Sequence, residues 1–217
     1  MSNMLKKEMK LSASILSYLF ILFGFMTLIP GYPILCGAFF TTLGIFQTFQ
    51  SMRENNDTSY SALLPVPKRD VVRGRYAFVI FIEMCSFAIM AVMTLLRMTV
   101  FSGSAVYRVN ALMNANLVFL GFALLIFGCF NSVFVGGFYK TAFYFGKPFV
   151  FHTVAAFIII FIAEALHHVP GLEAVNAFGF EHIGLQLAFL LAGAAAYTVL
   201  TLLSMKRSEK NFERIDL

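Results

Sequence analysis

The chain has 217 residues, of which 59% are hydrophobic and 12% are charged, and its mean hydropathy is +0.81. A soluble domain carries about 25% charged residues, so this composition excludes an ordinary soluble enzyme, a disordered chain and a nucleic-acid-binding module. Long apolar runs of about 20 residues indicate helices that cross a membrane. The chain is therefore predicted to be an all-α membrane protein, and its net charge of +5 reports on orientation, with no nucleic-acid partner expected.

The apolar runs predict six transmembrane helices. Each is long enough to cross a hydrocarbon core of about 30 Å at about 1.5 Å per residue. No repeat or linker separates them, so residues 1–217 are predicted to form a single transmembrane domain. In chain order, the predicted spans are 11–30, 33–52, 76–100, 113–136, 148–168 and 183–204.

The distribution of lysine and arginine predicts that both termini are cytoplasmic. With the amino terminus inside, only Arg97 and Arg108 among the 16 basic residues lie on the outer side. Basic residues are concentrated in cytoplasmic segments of membrane proteins. This asymmetry favours an even number of spans in a multi-pass membrane protein.

The longest predicted cytoplasmic connection, residues 53–75, has features of a short helix. The sequence Asn56-Asp57-Thr58 offers N-cap residues, and the residues after it can form about two helical turns. Their apolar face would consist of Tyr60, Leu63 and Leu64. An exposed apolar helix favours docking to a partner protein, and the alternative is a solvated hairpin with basic anchors.

Two prolines follow this short helix. Pro65 ends it, because a residue before proline avoids the helical conformation, and Pro67 suits the start of the next helix. Asp70 in the first turn would then complement the helix dipole. The remaining basic residues of the loop are expected near lipid phosphates or a partner surface, and these are Arg69, Arg73 and Arg75.

The same stretch carries a resemblance to a known family. It matches the pattern Leu-Pro-Val-x-Lys/Arg-x-x-Ile/Val-Val-x-x-Arg-Tyr through Leu64-Pro65-Val66-Pro67-Lys68-Arg69-Asp70-Val71-Val72 and Arg75-Tyr76, with residues 54–57 before it. In this it resembles small bacterial ABC type-2 permeases, similar to the permease subunits of the staphylococcal phenol-soluble-modulin exporter. Residues 211–217 also resemble the tails of such proteins.

The resemblance implies an ABC type-2 exporter permease-like fold, a location in a bacterial cytoplasmic membrane and a set of partners. Two permeases, identical or related, would pair, and each would present residues 57–64 as a coupling helix to a separate ABC ATPase subunit. Residues 3–14 would form an elbow helix along the inner membrane surface. ATP and Mg²⁺ would belong to the ATPase, because the chain lacks a G-x-x-x-x-G-K-[ST] phosphate loop, and no cofactor is expected on this chain. The implied coupling residues are Tyr60, Leu63, Leu64, Pro65, Pro67, Arg69 and Asp70.

Several polar residues fall inside the predicted spans, where ionisable groups are costly and face the protein interior. Those at inner depth either line a vestibule or bond one another, and they are Gln47, Glu83, Asn131 and His152. Near the outer side, Arg97 and Glu164 lie at matched depth and form a candidate ion pair. The alternative is that Arg97 extends to the outer headgroups while Glu164 faces water.

Three functions remain open from these residues. The first is the permease subunit of an ATP-driven exporter for an amphipathic peptide, lipid or drug-like molecule, which is not itself an enzyme. The second is a membrane accessory or immunity protein that transports nothing. The third is an intramembrane metalloenzyme, because Glu164 and His167 lie on one helix face at i, i+3.

Overall fold

The computed structural model describes residues 2–57, 60, 65–141 and 144–214, and the regular elements within these ranges are all helical. Among the described residues, two regions depart from α geometry as wider π-helix and two as tighter 3₁₀ helix. The elements are α1 (Ser2–Lys7) with the π-helix Glu8–Ser12, α2 (Ile15–Leu19) with the 3₁₀ helix Phe20–Leu28, α3 (Cys36–Glu54), α4 (Lys68–Thr99), α5 (Ala105–Arg108), α6 (Leu117–Cys129) with the π-helix Phe130–Val135, α7 (Gly136–Lys140), α8 (Gly146–Leu166), the 3₁₀ helix Glu173–Asn176 and α9 (Ile183–Glu213).

Four helices among the described residues are long and apolar enough to cross a membrane: Lys68–Thr99, Leu117–Lys140, Gly146–Leu166 and Ile183–Glu213. A fifth crossing is added if the bent pair Met4–Ser12 and Ile15–Leu28 counts as one span. α3 is not among them. Twelve of its 19 residues are buried, so its polar residues face neighbouring helices and it needs little apolar surface. The count of six spans therefore stays a prediction.

Several predicted boundaries shift. α4 begins at Lys68, so the end of the 53–75 connection is already helical. The predicted start at residue 113 is wrong because Asn116 caps α6: its Oδ1 accepts from Val118 N at 3.0 Å and from Phe119 N at 3.2 Å. α9 continues to Glu213, well beyond the predicted end at residue 204.

The predicted elbow at the amino terminus is present as a sharp bend. The segments Met4–Ser12 and Ile15–Leu28 meet at 102°. Ser14 caps the second segment by accepting from Leu16 N at 3.3 Å. The Tyr18 hydroxyl donates to Met9 O at 3.0 Å, and this hydrogen bond links the two segments across the bend.

Both ends of the described chain reach the start of α4. Arg75 Nε lies 2.6 Å from Glu8 Oε2, and Arg73 Nε lies 2.7 Å from Glu209 Oε1. We call this end of the helix bundle, with its many lysines and arginines, the basic end. The other end, with residues 101–116 and 167–182, is the opposite end.

The helices α6 and α9 are in backbone contact. A Cβ on Gly121 would lie 2.5 Å from Phe189 O, and a Cβ on Gly193 would collide with the Gly121 backbone. Glycine at both positions lets the two backbones touch, as small residues do in membrane helix pairs. This contact places α9 against the buried central helix and sets the register of the polar residues described below.

Candidate functional site

Four charged side chains from three separate segments form a buried network at the basic end. Lys7 Nζ lies 2.6 Å from Asp57 Oδ1 and 3.2 Å from Glu8 Oε1. Arg75 contacts both acids, with Nε 2.6 Å from Glu8 Oε2 and Nη2 2.9 Å from Asp57 Oδ2. The exposed fractions of these side chains run from 0% for Glu8 to 10% for Asp57. The network therefore joins the elbow, the 53–75 connection and α4 through desolvated charges.

The position of Asp57 in this network follows from how α3 ends. Asn56 has a left-handed φ of 51°, a conformation that asparagine tolerates at a helix terminus, and the chain then turns toward α4. Burial alone would raise the pKa of Asp57, but the neighbouring Arg75 and Lys7 outweigh it and hold the pKa below its usual value. Asp57 is therefore a charged partner of α4.

Arg75 is the clearest departure from the sequence-based expectation. It was predicted to lie near lipid phosphates or a partner surface, but its side chain is only 2% exposed. Its guanidinium also contacts the Met52 sulfur and lies 5.8 Å from the centre of the Phe49 ring. The prediction was wrong because lysine and arginine counts give the side of the membrane but not the partner of each residue.

The predicted coupling residues are described only in part. Tyr60 is 56% exposed, and its N–H donates to Asn56 O at 3.1 Å. Leu63 and Leu64 lie outside the described residues. Pro65 is exposed.

α4 starts where the two prolines predicted a helix to begin, ahead of the predicted span start at residue 76. Pro67 precedes it with a ψ of 136°, and Asp70 lies in its first turn. Asp70 N–H donates to Pro67 O at 2.8 Å, while Arg69 is exposed. The role of these residues in coupling stays a prediction.

Inside the bundle, Glu83 and Asn131 bond each other, which is one of the two alternatives predicted from the sequence. Glu83 Oε2 accepts from Asn131 Nδ2 at 3.0 Å and from the Tyr197 hydroxyl at 2.8 Å. Asn131 Nδ2 also donates to Thr201 Oγ1 at 3.0 Å. Glu83 and Asn131 are fully buried, so these bonds hold α4, the π-helix and α9 together.

The polar contacts continue toward the basic end. The Tyr76 hydroxyl lies 2.8 Å from Ser204 Oγ and 3.0 Å from Ser208 Oγ. Ser204 Oγ donates to Asn131 O at 2.7 Å. Asn131 belongs to a π-helix, whose altered hydrogen-bond pattern is common at functional sites. We call this chain of contacts between α4 and α9 the polar ladder: Tyr76, Glu83, Asn131, Tyr197, Thr201, Ser204 and Ser208.

His152 and Gln47 do not join the polar ladder. His152 Nε2 lies 3.0 Å from Thr42 Oγ1, and its ring is 5.0 Å from that of Phe130 and 6.2 Å from that of Phe39. Gln47 is half-buried on α3. The predicted mutual bonding is therefore seen for Glu83 and Asn131, whereas His152 bonds Thr42 on α3 instead, and a vestibule stays a prediction.

The predicted ion pair of Arg97 and Glu164 is not formed. Arg97 donates to Thr27 O at 3.0 Å and to Asn114 Oδ1 at 2.9 Å, whereas Glu164 Oε2 accepts from Met113 N at 2.7 Å. Both side chains bind the irregular segment before α6. The part of that segment from residue 113 was predicted to be helical, and the Met113 N–H, which has no helical partner there, is satisfied by Glu164 instead.

The residues of the alternative metal site, Glu164 and His167, bind backbone groups in the structure. His167 Nε2 lies 3.1 Å from Ala111 O, so His167 contacts the same irregular segment as Glu164. No group of three or more His, Cys, Asp or Glu residues that could hold a metal occurs among the described residues. Glu164 and His167 thus contribute to the packing of the opposite end.

A cavity of about 640 Å³ opens at the basic end between α7, α8 and α9. Its lining includes Lys140 and Lys147 on either side of the α7–α8 connection and the distant Arg207 on α9. In the sequence these three are simply members of the basic set assigned to the cytoplasmic side. No local pattern links the two lysines with Arg207, so only the packing of the three helices reveals the site.

A family model described as "ABC-2 family transporter protein" matches residues 3–213. No curated protein and no solved structure matches the chain. The match runs from the elbow to the last turn of α9, so it covers the ion network, the polar ladder and the cavity.

Proposed function

The chain belongs to the ABC-2 family of transporter proteins, and we propose that it acts as the permease subunit of an ATP-driven exporter whose ATPase is a separate chain. Membership makes it a multi-pass membrane permease and not itself an enzyme. In the proposal, two permeases pair in a bacterial cytoplasmic membrane, and partner ATPases bind ATP and Mg²⁺. The substrate is an amphipathic peptide, lipid or drug-like molecule, in keeping with the resemblance to the phenol-soluble-modulin exporter.

The observation that carries the coupling proposal is the buried ion network. Asp57 begins the segment expected to touch the ATPase, and its carboxylate is 2.9 Å from Arg75 on α4. Moving that segment without α4 would leave desolvated charges unpaired, and breaking such a pair costs about 3–5 kcal/mol. Movement of an ATPase against residues 57–64 would therefore be transmitted to α4.

α4 in turn carries two members of the polar ladder, Tyr76 and Glu83. A displacement of α4 along or around its axis would strain their hydrogen bonds to α9. In the proposal, these bonds pass the movement of α4 to α9, so that the two helices tilt together. The path from the ATPase thus runs through Asp57 and Arg75 to the polar ladder.

Six crossings with both termini in the cytoplasm are part of the proposal. Both ends of the described chain lie at the basic end, which favours an even number of crossings. α3 extends from Cys36, in the core cluster that also contains Met113, to Met52 beside Arg75 at the basic end. Counting α3 and the segment 15–28 with the four apolar helices gives this even number.

The test is co-purification with the ABC ATPase encoded beside this chain. Tyr60→Ala removes an exposed aromatic side chain from the proposed docking segment. A hot-spot residue contributes about 2 kcal/mol or more, so we expect at least about a tenfold loss of affinity. Tyr144→Ala is the matched control, because Tyr144 is 49% exposed and lies on another connection at the basic end.

Wild-type recovery of the ATPase with the Tyr60→Ala variant would contradict the docking assignment. Failure of the unmodified chain to bind any ATPase would favour the non-transporting accessory function. Orientation is tested separately in a variant without native cysteines: Arg69→Cys should react with a membrane-impermeant reagent only from inside and Val109→Cys only from outside. The reverse result would overturn the topology.

A further inference from the structure

Small residues and basic residues both line the cavity at the basic end. A Cβ on Gly137 would lie 2.8 Å from Pro148 Cβ, and a Cβ on Gly136 would lie 2.5 Å from Ser204 Oγ. These glycines let α7 approach α8 and α9 closely at the inner wall. The lining continues from these glycines to the basic residues Lys140, Lys147 and Arg207.

The charge of the cavity is uniformly positive. Lys140, Lys147 and Arg207 line it, and the described lining residues include no aspartate or glutamate. Within the described part of the chain, none of the three forms an ion pair. Three cations therefore line one space without a counter-charge from the described lining residues.

The walls that lead from the cavity toward the membrane centre are apolar and exposed. On α8, Phe151 lies one turn from Lys147 and is 66% exposed. On α9, Leu203 lies one turn from Arg207 and is 47% exposed. α8 begins at the basic end and α9 ends there. On both helices, therefore, the apolar residue lies one turn farther from the basic end than the basic residue does. The surface thus combines a cationic pocket with an adjacent apolar groove suited to acyl chains.

We propose that this cavity binds the headgroup of an anionic phospholipid of the adjacent leaflet, with its acyl chains lying on Phe151 and Leu203. Basic pockets between membrane helices suit such headgroups, and the volume of about 640 Å³ is in the range of small-ligand sites. Ser132, Thr141 and Asn211 supply further polar groups in the lining. The site is separate from the ion network and does not depend on the proposed transport cycle.

The chain has no tryptophan, which permits a direct test. A Phe151→Trp reporter is reconstituted in vesicles that contain either brominated phosphatidylglycerol or brominated phosphatidylcholine at equal mole fraction. We expect phosphatidylglycerol to quench the reporter with at least about a fivefold binding preference, the equivalent of about 1 kcal/mol for one basic contact. A Phe161→Trp reporter, on an exposed position of α8 away from the cavity, should show little preference.

The preference should disappear when Lys140→Gln, Lys147→Gln and Arg207→Gln are combined with the reporter. It should persist in the charge-matched control with Lys6→Gln, Lys10→Gln and Lys210→Gln, which changes exposed lysines outside the cavity lining. Equal quenching by the two lipids, or a preference that survives the first triple change, would overturn the proposal. Loss of the preference on adding soluble glycerol phosphate would also overturn it, by assigning the cavity to free phosphate esters.

Discussion

Arg75→Met tests the buried network most directly. The guanidinium contacts both oxygens of Glu8 and one oxygen of Asp57. Methionine has similar length but no charge, so Glu8, which is 0% exposed, would keep only Lys7 as a cationic neighbour at 3.2 Å. Breaking a buried pair in this way costs about 3–5 kcal/mol. We expect the variant to unfold at a lower temperature by about 6–20 °C, at about 2–4 °C per kcal/mol.

The double variant Glu8→Met with Arg75→Met distinguishes the loss of the ion pair from the loss of side-chain packing. With both charges removed, Asp57 keeps Lys7 at 2.6 Å, and apolar replacement of a whole buried pair is often close to neutral. The double variant should therefore be more stable than Arg75→Met alone. The coupling energy between the two sites should be about 2 kcal/mol or more, within the range for residues in contact.

The assay is thermal unfolding of the detergent-solubilised protein, followed by circular dichroism. Arg73→Met is the matched control, because Arg73 lies two residues closer to the start of α4 and pairs with Glu209, but its side chain is 44% exposed. Such a pair is screened by water, so this variant should change the unfolding temperature much less. If the double variant lost as much stability as the sum of the two single variants, the network would not be a coupled unit.

Three further predictions use the same unfolding assay. The pKa of Asp57 is lowered in the folded protein, so the stability it confers is present above its unfolded pKa of about 3.9 and is lost as pH falls through the folded pKa. Asp57→Asn should therefore flatten the fall in unfolding temperature between pH 6 and pH 3, and an unchanged profile would contradict this. Glu83→Gln keeps an oxygen that accepts from Asn131 and should retain most of the stability. Glu83→Leu leaves buried donors unpaired and should lower the free energy of unfolding by about 1–3 kcal/mol. Equal losses in the two variants would argue against this hydrogen-bond role. Gly193→Ala should destabilise the α6–α9 contact, whereas Gly184→Ala on the same helix meets open space, and similar unfolding temperatures for the two would disprove the close approach.

Local signals in the sequence were sufficient for the membrane class and for much of the helix layout. Apolar runs of membrane length located four long helices close to where the structure has them. Pro67 marked the start of α4, because a proline suits a helix start and restricts the residue before it. α3 is the exception: the sequence predicted it as the span 33–52, but it is not among these four helices, and many of its residues, including polar ones, are buried against neighbours.

The partners of the polar residues depended on the tertiary structure. Arg97 and Glu164 have similar depth, yet each binds the irregular segment between α5 and α6. Arg75 pairs with Glu8, 67 positions earlier in the chain. Counting residues along a helix gives the depth of a side chain in the membrane, but its partner depends on the rotation of each helix about its axis. That rotation is decided by contacts such as Gly121 against α9, which form only when distant parts of the chain pack together.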